Sequence, residues 1–287
     1  MANLKEIRNR IASVSSTMQI TSAMKMVSAA KLKKAQDAIT AMRPYASTLT
    51  ELIQNLSGAL DSDTQNPYTE VRESQSVLIV SITSNRGLCG AFNANIIKKT
   101  RQLMGETYSN QKVTLLTIGK KGSELLGKTG QVVASHDSLF DEITYENAGA
   151  VAQFIMDQFQ EKTYDEVVLV YNRFKNAATQ IVEVEPFLPI VSDPSSENTA
   201  TTEYLFEPSQ AEIVNDLLPK SLKMQFYKAI RDSFASEHGA RMTAMHKATD
   251  NATELRDQLK LTYNKARQAA ITNEILEIVG GAEALKS

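Results

Sequence analysis

Apolar residues recur along residues 1–57 at alternating steps of three and four. The series runs Leu4, Ile7, Ile11, Val14, Met18, Thr21, Lys25, Ser28, Leu32, Ala35, Ile39, Met42, Ala46, Leu49, Ile53 and Leu56. Thirteen of these sixteen positions are apolar, which predicts a helix carrying a heptad seam. The seam breaks at Thr21, Lys25 and Ser28, where the apolar residues move to Ile20, Ala23, Met24 and Val27. That shift predicts a stutter with a local change of supercoil. The segment has no glycine and one proline, Pro44, which removes a backbone hydrogen bond and is expected to kink the helix. Fully helical, the segment would be about 85 Å long.

The last segment repeats the pattern. From Lys220 to Val279 there is no proline and only one glycine, Gly239. Phe226, Ile230 and Phe234 are spaced four apart. A stripe of small residues follows, Ala240, Ala244, Ala248 and Ala252, and then Leu255 and Leu259. Small side chains let a second helix approach closely. Gly280-Gly281 is the expected stop. Helices this long suggest a coiled coil, so the two terminal segments are expected to pair antiparallel, with everything else inserted between them.

The middle has a different period. Val77–Ile82 and Val113–Ile118 are nearly continuous apolar runs, Val132–Ala134 is a short one, and Val167–Tyr171 and Gln180–Val184 complete five predicted strands. Helical patterns fall between them at Asn93–Met104, Ser123–Leu126 and Ala148–Phe159. Strands alternating with helices imply a mostly parallel, doubly wound sheet. The expected fold class is therefore α/β, an antiparallel coiled coil of long terminal helices with an inserted Rossmann-like domain. Its expected parts are an N-terminal shaft helix (1–57), an α/β foot domain with linkers (58–208) and a C-terminal shaft helix (209–287). Ser57–Ser76 and Ser192–Pro208 are rich in polar and turn-forming residues and are expected to be surface connections.

Charge sharpens this division. Residues 1–57 hold eight bases and three acids, residues 58–208 twelve and twenty, and residues 209–287 eleven and ten. The net charge of −2 thus hides a basic first helix, suited to an acidic partner, and an acidic middle. So balanced a total argues against nucleic-acid binding. The single cysteine, Cys89, excludes an intrachain disulfide. Three histidines and one cysteine make a structural zinc site improbable, and His238 and His246, eight apart on a helix, are expected to be solvated or packed. No apolar run approaches the roughly 20 residues of a membrane span. The first residues, with Lys5 and Glu6, do not resemble a targeting peptide.

Two stretches invite a nucleotide. Gly122-Ser123-Glu124-Leu125-Leu126-Gly127-Lys128-Thr129 fits the G-x-x-x-x-G-K-[ST] phosphate-loop pattern. A working loop wraps phosphate in backbone N–H groups and opens a helix at its Lys and Thr. Here Glu124, Leu125 and Leu126 are helix formers, and Gly130 with Gln131-Val132-Val133 leads into a strand. The stretch therefore reads as one helical turn with a glycine cap. Ser84–Asn93 follows the first strand, where a doubly wound sheet holds its ligand, yet it lacks G-x-G-x-x-G. Cys89 in that turn reads as a buried structural thiol.

Several stretches resemble the gamma subunit of F-type ATP synthase, in a bacterial-like form. Arg8-Asn9-Arg10-Ile11-Ala12-Ser13-Val14, Thr17, Ile20-Thr21 and Ala23-Met24-Lys25-Met26-Val27 are similar to that family's start, and Thr83–Asn93 to its first-strand turn. Ala235–Met245 and Ala248–Ala252 are similar to its C-terminal helix, and Tyr263–Glu274, running to Gly280-Gly281-Ala282, to its signature. The chain departs from the family pattern at Gln19 and Ser22, where Lys is frequent, and at Gly239, where Ala is usual. The two-cysteine regulatory insertion of chloroplast members is absent.

The resemblance implies a rotor shaft without catalytic residues, cofactor or metal. It implies that the terminal helices stand inside a ring of three alpha and three beta subunits. The α/β domain, with the epsilon subunit, would grip the membrane ring of c subunits, which would be the chain's only membrane association. Ion flow would turn the shaft, and the beta subunits would make ATP. By motif match, Met24 and Lys25 are expected near the beta-subunit lever loops, Arg267 and Gln268 at a beta-subunit catch loop, and Thr272 and Glu274 close by. Tyr204 and Phe206 are expected in the foot near the c ring. The implied location is the cytoplasmic face of a bacterial inner membrane. Two other readings are an ATP-binding enzyme built on Gly122–Thr129 and a coiled-coil scaffold with an α/β cap.

Overall fold

A computed structural model of the chain describes residues 4–57, 66–190 and 210–284. Helix α1 spans Leu4–Ser57 and helix α5 spans Gln210–Ala284. Between them lie strands β1 (Ser76–Ile82), β2 (Lys112–Ile118), β3 (Val132–Ser135), β4 (Glu166–Phe174) and β5 (Gln180–Leu188). Helices α2 (Phe92–Gln102), α3 (Lys120–Leu126) and α4 (Tyr145–Gln160) connect the strands. The sheet order is β3-β2-β1-β4-β5. The first four strands are parallel, and β5 is antiparallel to β4. This is the doubly wound α/β domain between two long helices that the alternating pattern implies. Among the described residues no helix is long and apolar enough to cross a membrane.

The chain packs as two compact units. One holds the described residues up to Ser28 and from Met242 on, and the other holds Ala29 to Arg241. Each long helix therefore contributes to both.

In the larger unit the sheet is buried on both faces, as its apolar strands require. On one face Leu78, Val80, Ile82, Leu116 and Leu169 pack against Ala152, Ile155, Met156 and Phe159 of α4 and Leu222, Phe226 and Ile230 of α5. On the other, Val77, Ile79, Leu115 and Val168 meet Ile96 and Ile97 of α2 and Leu126 of α3. Thr144 caps α4, its hydroxyl accepting from the Asn147 N–H, which satisfies one of the free donors of the first turn. Helix α2 ends in a single wide π turn, Leu103–Thr107.

Gly239 explains one departure from the family pattern. A Cβ there would lie 3.1 Å from the Ala177 carbonyl oxygen in the β4–β5 turn and 3.5 Å from the Phe174 ring. Helix and hairpin are in direct backbone contact at this point. Gly239→Val is expected to overpack the contact and destabilise the chain by about 1–3 kcal/mol. Urea unfolding of the purified chain checks this, and unchanged stability would show that the hairpin yields freely.

In the smaller unit the two long helices run antiparallel. Arg8 donates to the Tyr263 hydroxyl at 2.9 Å and lies over its ring. Nearer the middle, Thr249 and Thr21 share a hydroxyl contact of 2.8 Å, and Arg256 reaches the Met18 sulfur.

This unit corrects the expected stutter. Thr21 and Ser28 are buried, and Ile20 and Val27 are 60% and 58% exposed. The seam keeps its phase because short hydroxyl side chains satisfy themselves inside it. Thr21 bonds across to Thr249, and Ser28 donates back to the Met24 carbonyl. Two further expectations change. Helix α1 continues through Pro44 without a break, and α5 continues through Gly280-Gly281 to Ala284. A glycine inside a helix costs only about 1 kcal/mol, which the roughly nineteen preceding turns of continuous helix can carry.

Candidate functional site: exposed helical surfaces and a filled nucleotide position

The carboxyl ends of β1 and β4 are where a doubly wound sheet binds its ligand. Here the chain's own groups fill that position. The Ser84 backbone N–H donates to Asn93 Oδ1 at 2.9 Å, and its hydroxyl donates to the Arg86 carbonyl at 2.7 Å. Asn172, buried on β4, donates to the Phe92 carbonyl at 3.2 Å. Gly119 has a φ of +97°, and a Cβ there would lie 2.4 Å from the Thr83 carbonyl oxygen. No larger residue fits where β2 turns back over β1.

Helix α5 closes this end. The Arg241 guanidinium donates to the carbonyls of Arg86 and Gly87 at 3.3 and 3.4 Å. It pairs with Glu237 at 2.7 Å, and both side chains are only 9% exposed. It also approaches His238 Nδ1 at 3.3 Å. A phosphate needs N–H donors, whereas the turn presents carbonyl acceptors that Arg241 has already engaged. Burial raises the Glu237 carboxyl above its usual range, and the Arg241 charge opposes that rise. Burial, together with the charges of Arg241 and Lys31, pulls His238 down to about 3. His238 is thus a neutral packed residue, edge-on to Phe234, while His246 is exposed beside Asp250. Burial raises the Cys89 thiol, which sits against Phe92 and Ala240 as a structural residue. Among the described residues no group of three or more His, Cys, Asp or Glu could hold a metal ion.

The phosphate-loop pattern is spent on ordinary structure. Lys120–Leu126 is helix, Gly127–Thr129 is a 3-10 turn, and Gly130 ends it with a φ of 72°. The Gly122 N–H bonds Thr83 Oγ1, and Thr129 Oγ1 donates to the Leu126 carbonyl. Lys128 is exposed, and no cradle of N–H groups faces it. Lys128→Ala is therefore expected to leave nucleotide binding by the isolated chain unchanged. Titration with a fluorescent ATP analogue checks this, and a loss of binding would restore the phosphate loop.

The proposed contact residues lie in the smaller unit. Met24 and Lys25 are half-buried on α1, and Arg267, Gln268, Thr272 and Glu274 are exposed on α5. Since Arg8 pairs with Tyr263, α1 reaches its first described residue, Leu4, near the level of Arg267. Beyond that level no described residue of α1 faces α5, and every residue from Arg267 to Ala282 is exposed. By the same register Met24 lies level with a residue near His246, about 30 Å along the helix from Gln268. The structure thus places the six residues in two separate bands. Tyr204 and Phe206 lie outside the described residues.

Motif matching passed over the apolar surface of this end of α5. Ile271, Ile275, Leu276, Ile278 and Val279 are each 47–68% exposed, and Ile20, Met26 and Val27 form a second exposed group on α1. Apolar side chains gathered this densely on a surface mark an interaction site. The signal was present in the sequence as apolar residues with no seam partner.

Comparison with known proteins agrees with this picture. The ATP synthase family model matches residues 3–285. The chain is 66% identical to the ATP synthase gamma chain of Flavobacterium psychrophilum over 286 residues, covering 100% of each. It is 44% identical to that of a Geobacter species over 287 residues, again covering 100% of each. Among solved structures it is similar to a chain of the Euglena gracilis mitochondrial ATP synthase in a structure holding the F1 portion and the c-ring. That match has a TM-score of 0.73 and 25% identity and covers 98% of this chain and 94% of the other. It is also similar to a chain of the Tetrahymena thermophila mitochondrial ATP synthase central stalk and c-ring. There the TM-score is 0.62 at 29% identity, covering 80% of this chain and 99% of the other.

Proposed function

The chain belongs to the ATP synthase gamma-chain family, and we propose that it turns inside a ring of three alpha and three beta subunits, coupling rotation of a c ring to ATP synthesis or hydrolysis. The observation that carries this is the end of α5, whose apolar residues Ile271–Val279 are exposed in the chain alone. A sleeve of partner subunits supplies the cover they lack. A rotor acts on a catalytic site only by touching its conformations unequally. An asymmetric pair of helices presents a different face to each partner at every angle. Met24 and Lys25 form one contact band against the beta subunits, and Arg267, Gln268, Thr272 and Glu274 form the other.

The α/β domain within residues 58–208 acts as the foot, with the epsilon subunit beside it and the c ring below. Tyr204 and Phe206 are assigned to that foot by resemblance. The terminal segments 1–57 and 209–287 act as the shaft. The chain does no chemistry itself, a reading supported by the filled strand ends and by the helical use of Gly122–Thr129. It reaches the membrane through the c ring, on the cytoplasmic face of a bacterial inner membrane.

A photo-crosslinker placed at Thr272 in the assembled complex tests the upper band. Adducts with alpha or beta subunits are expected. Adducts only with a second copy of this chain would favour the scaffold reading.

A further inference from the structure

In the larger unit α5 is held along its length from Leu222 to Arg241, by contacts of two kinds. The first is apolar, where Leu222, Phe226, Ala229 and Ile230 sit in the main core. The second lies about 22 Å further along the helix axis and is of another kind. There Gly239 meets the β4–β5 turn, Ala240 packs on Cys89 and Phe92, and Arg241 bonds the Arg86 and Gly87 carbonyls. Arg241 is also the last residue of α5 in this unit.

The chemistry of the second tie needs a cause. A buried ion pair is often no more stabilising than apolar residues of the same volume. Stability alone therefore does not account for a nearly buried Arg–Glu pair at this point. What the pair supplies is direction. Glu237, one turn before Arg241 on the same helix face, holds the guanidinium at 2.7 Å. Its other nitrogen is thereby aimed at two carbonyls of the β1–α2 turn, 154 and 155 residues away in sequence. His238 Nδ1 takes part in the same grip at 3.3 Å. Charge-assisted hydrogen bonds of this type are stronger and more directional than neutral ones.

We propose that Glu237 and Arg241 are positioning residues that fasten the β1–α2 turn to α5, forming the polar part of the grip through which the foot domain passes torque to the shaft. The inference rests on the rotor reading. Glu237 orients, and Arg241 carries the load to the backbone of the turn. Loss of the tie leaves the fold standing on its core and makes the joint compliant.

The experiment uses the complex of this chain with the alpha and beta subunits, fixed through the hexamer and arrested with a non-hydrolysable ATP analogue. A rod is attached to the foot through Gln102→Cys, an exposed position, and the buried native thiol of Cys89 does not compete. Angular fluctuation of the rod reports torsional stiffness. The variant carrying Glu237→Leu and Arg241→Met keeps the site filled with apolar volume and removes both bonds to the turn. Its urea midpoint is expected to match the parent's or exceed it, while the angular variance rises as the tie to the turn is lost. Arg241→Lys, which retains the charge but cannot reach Glu237 and both carbonyls together, is expected to fall between. Unchanged variance in the double variant overturns the proposal. If that variant fails to assemble, unchanged variance in Arg241→Lys overturns it instead. An unsubstituted chain that never enters the complex would refute the rotor reading itself, a result distinct from either.

Discussion

Removing α5 from Arg267 onward is expected to lower ATP synthesis in reconstituted vesicles about tenfold, equivalent to a coupling energy of about 1.4 kcal/mol. The larger unit should unfold in urea as before. Every residue from Arg267 to Ala282 is exposed, so the deletion takes nothing from either core. It does take Ile271, Ile275, Leu276, Ile278 and Val279, the apolar surface that a partner sleeve would cover. It also takes Arg267, Gln268, Thr272 and Glu274, the whole upper contact band. Synthesis depends on the rotor pressing unequally on three chemically identical sites, and that inequality is what the deletion reduces. Synthesis at the parent rate would show that the band carries none of the coupling. A large fall in the urea midpoint would show that the tail instead supports the fold.

Phe226→Ala is expected to have the opposite profile. Phe226 is fully buried, with its ring centroid 6.0 Å from that of Phe187, among residues of the sheet, α4 and α5. Truncating it removes transfer free energy and leaves a cavity that a sheet covered on both faces cannot collapse. The expected loss is about 3–5 kcal/mol, a large part of the roughly 5–15 kcal/mol by which folded domains are stable. Leu261→Ala serves as the control. Leu261 is 64% exposed, and its loss is expected to stay within about 0.5 kcal/mol. Urea unfolding of both variants checks the pair. Equal effects would mean that α5 is not anchored in the larger unit through its aromatic face.

The fold was legible where one period dominated. Continuous apolar runs mark β1 and β2, and the alternation of strand and helix gives the parallel core of the sheet. The failure at the seam of α1 is instructive. Pattern reading treats Thr21 and Ser28 as polar and moves the apolar face to Ile20 and Val27. In the folded chain Thr21 finds Thr249, and Ser28 bonds its own helix. A hydroxyl partner 228 residues away is invisible to any local window. The same holds for Arg241, whose acceptors belong to a turn early in the domain. Gly280-Gly281, read as a stop, lies inside a helix, and the close contact at Gly239 is another partner that no local window shows.

The proposed contact residues were named only through resemblance. Arg267, Gln268, Thr272 and Glu274 are unremarkable as residue types on a polar helix face. What distinguishes them is that they lie at or beyond the level of Leu4, the first described residue of α1, a fact of register that requires the paired helices.

The central claim is that this chain is the shaft of a rotary complex. Isolating a tagged copy from its native membranes and weighing the intact assembly tests it most directly. The account predicts that alpha, beta and epsilon subunits come with each copy at about three to three to one, the closed ring that an asymmetric shaft requires. A lone chain or a homo-oligomer that binds ATP would contradict it.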